Sequence, residues 1–307
     1  MNYAPVALFV YNRPWHTRRT VEALRANAEA AETPLYIFSD APKNSRASEA
    51  VAEVRSLIRE ITGFKAVTII ERETNFGLAR SIIEGVTQIC EKHGCVIVLE
   101  DDLVTSPHFL KYMNEGLEKY QDEQKVISIH GYVYPVEQAL PETFFLKGAD
   151  CWGWATWKRG WEFFNPDGQK LLDELKRREL TRQFDFNGSY PYSMMLSNQI
   201  AGKNDSWAIL WYASAFLQDK LTLYPGRSLV QNIGMDGSGV HCSANEGFSA
   251  ETGNAPVMIG GINIEESEVA KRLFIKYLKR SMSWLSVRPA KKIFNKMRRK
   301  LTSNYGK

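Results

Sequence analysis

Three carboxylates in succession, Glu100-Asp101-Asp102, follow directly on an unbroken apolar run from Cys95 to Leu99. Acids packed this closely repel one another, so a positive partner is expected, and a divalent cation that favours oxygen ligands suits them. A short apolar run ending in polar residues reads as a strand buried on both faces. In open α/β sheets ligands bind outside the carboxyl ends of such strands. The plain alternative is a solvated acidic loop. Other residues with chemical potential recur at similar places: Asn12-Arg13 after Val6–Tyr11, Ser39-Asp40 after Leu35–Phe38, and Asn75 after Ala66–Ile70. The second half supplies Asp205 in Asn204-Asp205-Ser206-Trp207, with Asp150 and Asp236 in reserve. It also supplies His241 after Gly237-Ser238-Gly239, and Trp152, Trp154, Trp157 and Trp161 within ten residues.

Positioning these groups requires strands whose carboxyl ends converge. The first 130 residues alternate strand and helix patterns: strands near 6–11, 35–38, 66–70, 95–99 and 126–129, separated by segments with helical spacing. Val21, Leu24 and Ala28 share one face, as do Val51, Val54 and Ile58, and Leu78, Ile82, Val86 and Ile89. Pro14 suits a first helical turn, Ser106-Pro107 reads as a helix start, and Gly63 as a helix stop. This alternation predicts a doubly wound parallel sheet. Arg13, Asp40 and the acidic triplet then arrive at one edge. Beyond Gly131 the rhythm changes. A polar helix is expected over about 168–180, an apolar one from Trp207 through Phe216, a strand over Leu221–Tyr224, and a Gly/Ser-rich loop over 226–247.

The chain has 307 residues, 44% hydrophobic and 12% aromatic, enough for a large core. Its net charge of +4 conceals an asymmetry: 13 Lys/Arg and no acid lie from Lys271 to Lys307, leaving −9 on the first 270 residues. From about Glu265 the chain reads as a basic amphipathic helix, interrupted at Pro289, with Leu273, Phe274, Tyr277, Leu278, Met282 and Leu285 on one side. Such a helix can lie on an anionic membrane surface or pack on the domain. The acidic body and the lack of a binding motif argue against nucleic acid. No apolar run reaches a membrane span, and no leader segment is read at the start. Cys90, Cys95, Cys151 and Cys242 lack zinc spacing and are expected as free thiols.

In order, strand–Asn-Arg-Pro, strand–Ser-Asp-Ala-Pro, Asn-Phe-Gly-Leu-Ala-Arg-Ser and Val-Leu-Glu-Asp-Asp-Leu resemble a glycosyltransferase of the GT-A fold. The triplet is similar to the DxD motif in its Glu-Asp-Asp form, as in the N-acetylglucosaminyltransferase I family. Gly-Ala-Asp-Cys-Trp-Gly-Trp-Ala-Thr-Trp-Lys-Arg-Gly-Trp and Gly-Lys-Asn-Asp-Ser-Trp-Ala extend the likeness, to about residue 250, to bacterial surface-polysaccharide glycosyltransferases, some labelled hemolysin-like. The resemblance implies a Rossmann-like, mixed and mainly parallel sheet flanked by helices, with the basic helical tail appended. Residues 1–130 would form the nucleotide-sugar-binding half, 131–262 the acceptor-binding and catalytic half, and 263–307 the tail.

It also implies a nucleotide-sugar donor, a UDP-sugar foremost, a glycan or lipid-linked glycan acceptor, and Mn²⁺ or Mg²⁺. Carried over by position, Arg13 and Asp40 hold the nucleoside, Asp40 through uracil or ribose, and Arg80 faces the diphosphate. Asp102 binds the metal, and Asp101 orients the ribose or a metal-bound water. Asp205 is the base of an inverting transfer, with a helix N-cap as its structural alternative. His241 completes the metal shell or contacts phosphate. Trp152 and Trp154 stack on acceptor sugar, against the alternative of core packing. The expected location is the cytoplasm, with contact to the inner membrane face through residues 271–301. A nucleotidyltransferase is the competing enzyme class. It usually needs a glycine-rich loop after the first strand, where this chain has Asn12-Arg13-Pro14-Trp15. A non-catalytic glycan-binding or membrane-associated protein on the same fold is the other alternative.

Overall fold

The computed structural model describes residues 3–236, 248 and 250–281. The first half follows the predicted alternation: β1 (Val6–Val10), α1 (Pro14–Arg25), β2 (Pro34–Ser39), α2 (Ser48–Arg59), β3 (Ala66–Glu71), α3 (Leu78–His93) and β4 (Cys95–Glu100). Pro14 opens α1, where its missing N–H interrupts no helical bond. Gly94, at φ 81°, closes α3 in the left-handed conformation that glycine adopts without strain. Gly63 does not cap α2. That helix ends on Glu60, and Gly63 turns the following loop instead.

The second half contributes β5 (Leu103–Thr105), α4 (Phe109–Lys119), β6 (Val126–His130), β7 (Thr143–Lys147) and β8 (Trp154–Trp157). After these come α5 (Lys158–Trp161), α6 (Gly168–Arg177), α7 (Thr181–Phe184), α8 (Tyr192–Ile200), α9 (Trp207–Leu217), β9 (Leu221–Pro225) and β10 (Val230–Asn232). One eight-stranded sheet runs through both halves in the order β3-β2-β1-β4-β8-β6-β9-β7, with a separate β10–β5 ribbon. β3, β2, β1 and β4 are mutually parallel. β8 is antiparallel to both neighbours, β6 and β9 are parallel to each other, and β7 runs against β9. The sheet is therefore mixed and mainly parallel, as predicted. Neither β7 nor β8 was expected, and β8 is the middle of the tryptophan-rich run.

Alternation along the strands divides the core. Val6, Leu8 and Val10 of β1 pack on one face with Val21, Leu24, Val54 and Ile58 of α1 and α2 and with Leu110 and Met113 of α4. Ala7 and Phe9 face the other side with Ile82, Val86 and Ile89 of α3 and with Trp207 and Trp211 of α9. Burying each large aliphatic side chain contributes about 1.5–3 kcal/mol, so covering both faces accounts for the continuous apolar run of β4.

The first part of the basic tail is helical over 268–281. Its apolar stripe is already occupied, because Phe274 and Leu278 are buried and Phe274 packs on Tyr134, Phe144 and Tyr224. For these residues the packed alternative replaces the membrane-facing one. Residues 282–307, including Met282, Leu285 and the rest of the 271–301 stretch, lie outside the described residues. Among the described residues no helix is long and apolar enough to cross a membrane. Cys90 and Cys95 are free thiols, as expected; Cys242 lies outside the described residues.

Candidate functional site

The carboxyl ends of β1 and β4 are adjacent, because Phe9 pairs with Glu100. That register brings Arg13, just past β1, against the acidic triplet. Arg13 Nη2 donates to both Asp101 Oδ1 and Asp102 Oδ2, the second bond being 2.8 Å. All three side chains are largely buried, at 18%, 6% and 10% exposure. Thr20 of α1 donates to the Asp101 carbonyl at 2.8 Å and fixes the turn from below. Burial disfavours the guanidinium's charge, but Asp101 and Asp102 more than offset this and raise its pKa.

The triplet divides chemically. Desolvation first, then the charges of Asp102 and Asp101, pushes Glu100 up to about 8 against the pull of Arg13. Burial raises Asp101 to about 6, with Arg13 opposing and Asp102 adding to the rise. Near neutral pH, therefore, Glu100 mostly holds a proton, and Arg13 lies against the other two carboxyl groups. Part of the positive partner expected from the sequence is this arginine.

A segment from the far end of the chain covers the acids. β10 pairs antiparallel with β5, with Asn232 opposite Leu103. Ile233 N donates to the Asp102 carbonyl at 2.9 Å. Gly234 N donates to Asn232 Oδ1 at 2.8 Å. Gly234 is enclosed so closely that a Cβ there would overlap Asp102 Oδ2 and lie 2.8 Å from Arg13 Nη1. Asp236 follows, its Oδ2 3.2 Å from Nε2 of His16 in the first turn of α1. His16 and Gly234 were not singled out from the sequence. Their only sequence signals are closeness to Arg13 and membership of the Gly-rich segment; pairing them requires the β5–β10 register.

Asp40 stands one strand over. Its Oδ1 accepts from Ala41 N and Phe76 N (2.9 and 2.8 Å), and its Oδ2 from Asn75 Nδ2 and Gly77 N (3.0 and 2.9 Å). Four donors make Asp40 the anchor of the 75–77 turn that starts α3, so any nucleoside contact would be additional. Gly77 needs its positive φ of 74° to enter the helix. Arg80, in the first turn of α3, is 60% exposed. It stacks over Phe76 at 3.8 Å and donates to Glu84 Oε1 at 2.6 Å, without touching the Arg13 cluster.

Asp205 lies next to this turn, with Oδ2 3.6 Å from the point where a Gly77 Cβ would sit. The expected alternative, an N-cap, falls to its neighbour: Ser206 accepts from Ile209 N at 3.4 Å and opens α9. Asp205 is exposed and makes no hydrogen bond or ion pair with the described residues.

The two tryptophans assigned to acceptor binding separate. Trp154 is corrected to a core residue. It is fully buried on β8, with Trp161, Trp207 and Trp211 at 5.5–5.8 Å. Trp152 is half-buried at the sheet edge, packs on Tyr132 at 4.7 Å and donates its backbone N–H to His130 Nε2 at 3.1 Å. His241 lies outside the described residues.

Asp102 Oδ1 takes no hydrogen bond from the described residues, among which no group of three or more His, Cys, Asp or Glu is placed to enclose an ion. One or two carboxylates fit an ion held jointly with substrate phosphates, the usual arrangement for Mg²⁺, better than an all-protein cage.

No family model matches the chain, and no curated protein matches it. Among solved structures, UDP-glucose pyrophosphorylase complexed with UDP-glucose aligns with a TM-score of 0.36 and 14% identity, over 74% of this chain and 93% of that chain.

Proposed function

We propose that this protein is a glycosyltransferase that moves a sugar from a nucleoside-diphosphate donor, a UDP-sugar foremost, to a glycan or lipid-linked glycan hydroxyl in bacterial surface-polysaccharide synthesis. The carrying observation is the buried pair Asp101–Asp102 bridged by Arg13 at the carboxyl end of β4. A separate carboxylate, Asp205, unpaired among the described residues, lies at the turn that starts α3. Mn²⁺ or Mg²⁺, when bound, would supply charge stabilisation for the departing diphosphate. Asp102 would hold it, with His241 as the second proposed ligand.

The chain's own residues supply the rest. Arg13 fixes the acid pair, and Asp101 orients ribose or a metal-bound water. Asp40 holds the 75–77 turn and contacts the nucleoside, and Arg80 would need to leave Glu84 to reach phosphate. As the acceptor oxygen bonds to the anomeric carbon, its proton passes to Asp205 and the bond to diphosphate breaks, with inversion. The run of 13 Lys/Arg from residue 271 supports contact with the inner membrane face through residues beyond 281.

The test is a thermal-shift screen of UDP- and GDP-sugars with and without Mn²⁺, since a ligand selective for the native state raises apparent stability. Titration calorimetry of Asp102→Ala and a transfer assay of Asp205→Asn complete it. The expected result is a metal-dependent shift with one nucleotide class, lost in Asp102→Ala. Asp205→Asn should keep the shift and lose transfer by about 10²–10⁴-fold. Unchanged UDP affinity in Asp102→Ala would refute the metal assignment.

A further inference from the structure

A second group of functional side chains occupies the same sheet edge, at the ends of β6 and β8 and away from the Arg13 cluster. The loop between β7 and β8 is held at both ends by glycines with positive φ. Gly148, at φ 99°, lies against the Tyr212 ring, and Gly153, at φ 65°, would place a Cβ 2.6 Å from Val230. Neither position has room for a side chain. The loop between them presents Asp150 and Trp152.

Asp150 is 32% exposed and spends one bond within its own loop, Oδ1 accepting from Cys151 N at 2.8 Å. His130 lies behind it, 3.9 Å away and fully buried. Its Nε2 accepts the Trp152 N–H, which puts the proton of the neutral ring on Nδ1, and burial lowers its pKa. Among the described residues Asp150 therefore has no Lys or Arg within bonding distance. Around it stand Tyr132, Tyr134 and Tyr192, the last two joined hydroxyl to hydroxyl at 3.3 Å. Its charge adds to the burial that holds these three phenols protonated. Trp152, Tyr134 and Tyr192 are each half-buried.

We infer that the 148–153 loop and the facing tyrosines form a binding site for a neutral sugar residue of the acceptor. A half-exposed carboxylate beside the Tyr134–Tyr192 hydroxyl pair and the half-buried Trp152 ring matches a molecule with vicinal hydroxyl donors and apolar C–H faces. Among the described residues no Lys or Arg pairs with Asp150, so a uronic acid or phosphorylated sugar meets it there without a counter-charge. The inference rests on the sugar-transfer reading above and narrows its acceptor class.

The test uses the full chain with UDP and the diamagnetic Mg²⁺, and saturation-transfer NMR with p-nitrophenyl β-glycosides of glucose, galactose, mannose, N-acetylglucosamine and glucuronic acid. At least one neutral glycoside is expected to bind at least tenfold tighter than the glucuronide. Asp150→Asn should weaken that neutral binding about tenfold and Tyr192→Phe severalfold, both melting close to the wild type and keeping its response to UDP. Glucuronide binding equal to the best neutral glycoside overturns the inference. So does neutral binding unchanged in both variants, or no neutral binding at all. Neutral binding that depends on Asp150 in a protein with no nucleotide response would sink the transfer reading and leave this site standing.

Discussion

Replacing Arg13 with Met removes the one cation that, among the described residues, touches the two buried carboxylates, while keeping most of the side chain's bulk. Breaking a buried ion pair by deleting one partner typically costs about 3–5 kcal/mol, because the remaining charge is left without compensation. Here the loss should depend on pH. Burial already raises the folded-state pKa of Asp101 to about 6, so folding favours its protonated form and the stability tied to that proton declines as pH rises from about 4 through 6. Without Arg13 the folded pKa moves higher still, and the decline continues above pH 6. Each further unit is worth about 1.4 kcal/mol on the alkaline side. Arg13→Met should therefore lose about 1 kcal/mol at pH 5 and about 3 kcal/mol or more at pH 8. Urea unfolding followed by tryptophan fluorescence at pH 5, 6.5 and 8 measures this. A loss that is the same at all three values, or below about 1 kcal/mol at pH 8, would refute the account of Arg13 as the internal counter-charge.

Glu100→Gln should stabilise the protein, more at pH 9 than at pH 5, because the folded pKa of about 8 lies above the unfolded one and folding at alkaline pH must ionise a desolvated acid. Parallel melting curves at the two pH values check it, and equal gains would count against it. Gly234→Ala puts a methyl into Asp102 and Arg13, with a loss of about 1–3 kcal/mol and of the metal-dependent nucleotide shift. A normal thermal shift in that variant contradicts the close approach. Asp40→Ala leaves three backbone N–H groups and one N–H of the Asn75 amide without their acceptor, the other still reaching the Ala41 carbonyl. Faster hydrogen exchange confined to residues near 75–80 is expected, at a stability loss of about 2 kcal/mol or more.

The first half was legible because buried parallel strands are written as continuous apolar runs punctuated by turn residues. β1 to β4 carry that pattern and lie close to their predicted positions. The convergence of Arg13 and the acidic triplet followed from topology alone, since parallel strands deliver their ends to one edge. Asp40 arrived there too, but its hydrogen bonds are directed at the neighbouring turn, which no spacing reveals. The second half was less legible for identifiable reasons. Trp154–Trp157 is too short and too aromatic to signal a strand, and a tryptophan cluster looks alike whether it meets a sugar or the underside of α9. Thr143–Lys147 has a strand's composition but follows an irregular stretch and was passed over. The contact of His16 with Asp236 joins the two ends of the domain and has no local signature.

The antiparallel placement of β8 also governs the order in which the molecule can be made. β4 is complete once Glu100 has left the ribosome, but its outer edge stays unpaired until Trp154–Trp157 has been synthesised, α4, β6 and β7 having emerged in between. During that interval a flat edge of Val96, Ile97 and Val98 is available to any other nascent strand. A chain stopped near residue 130 would carry the whole β3-β2-β1-β4 layer with that edge permanently open. It should be recovered in aggregates, where a chain extended past residue 225 has β8 and β9 to cover the edges of β4 and β6. The tryptophan-rich strand is thus the clasp that lets the two halves of the sheet become one body.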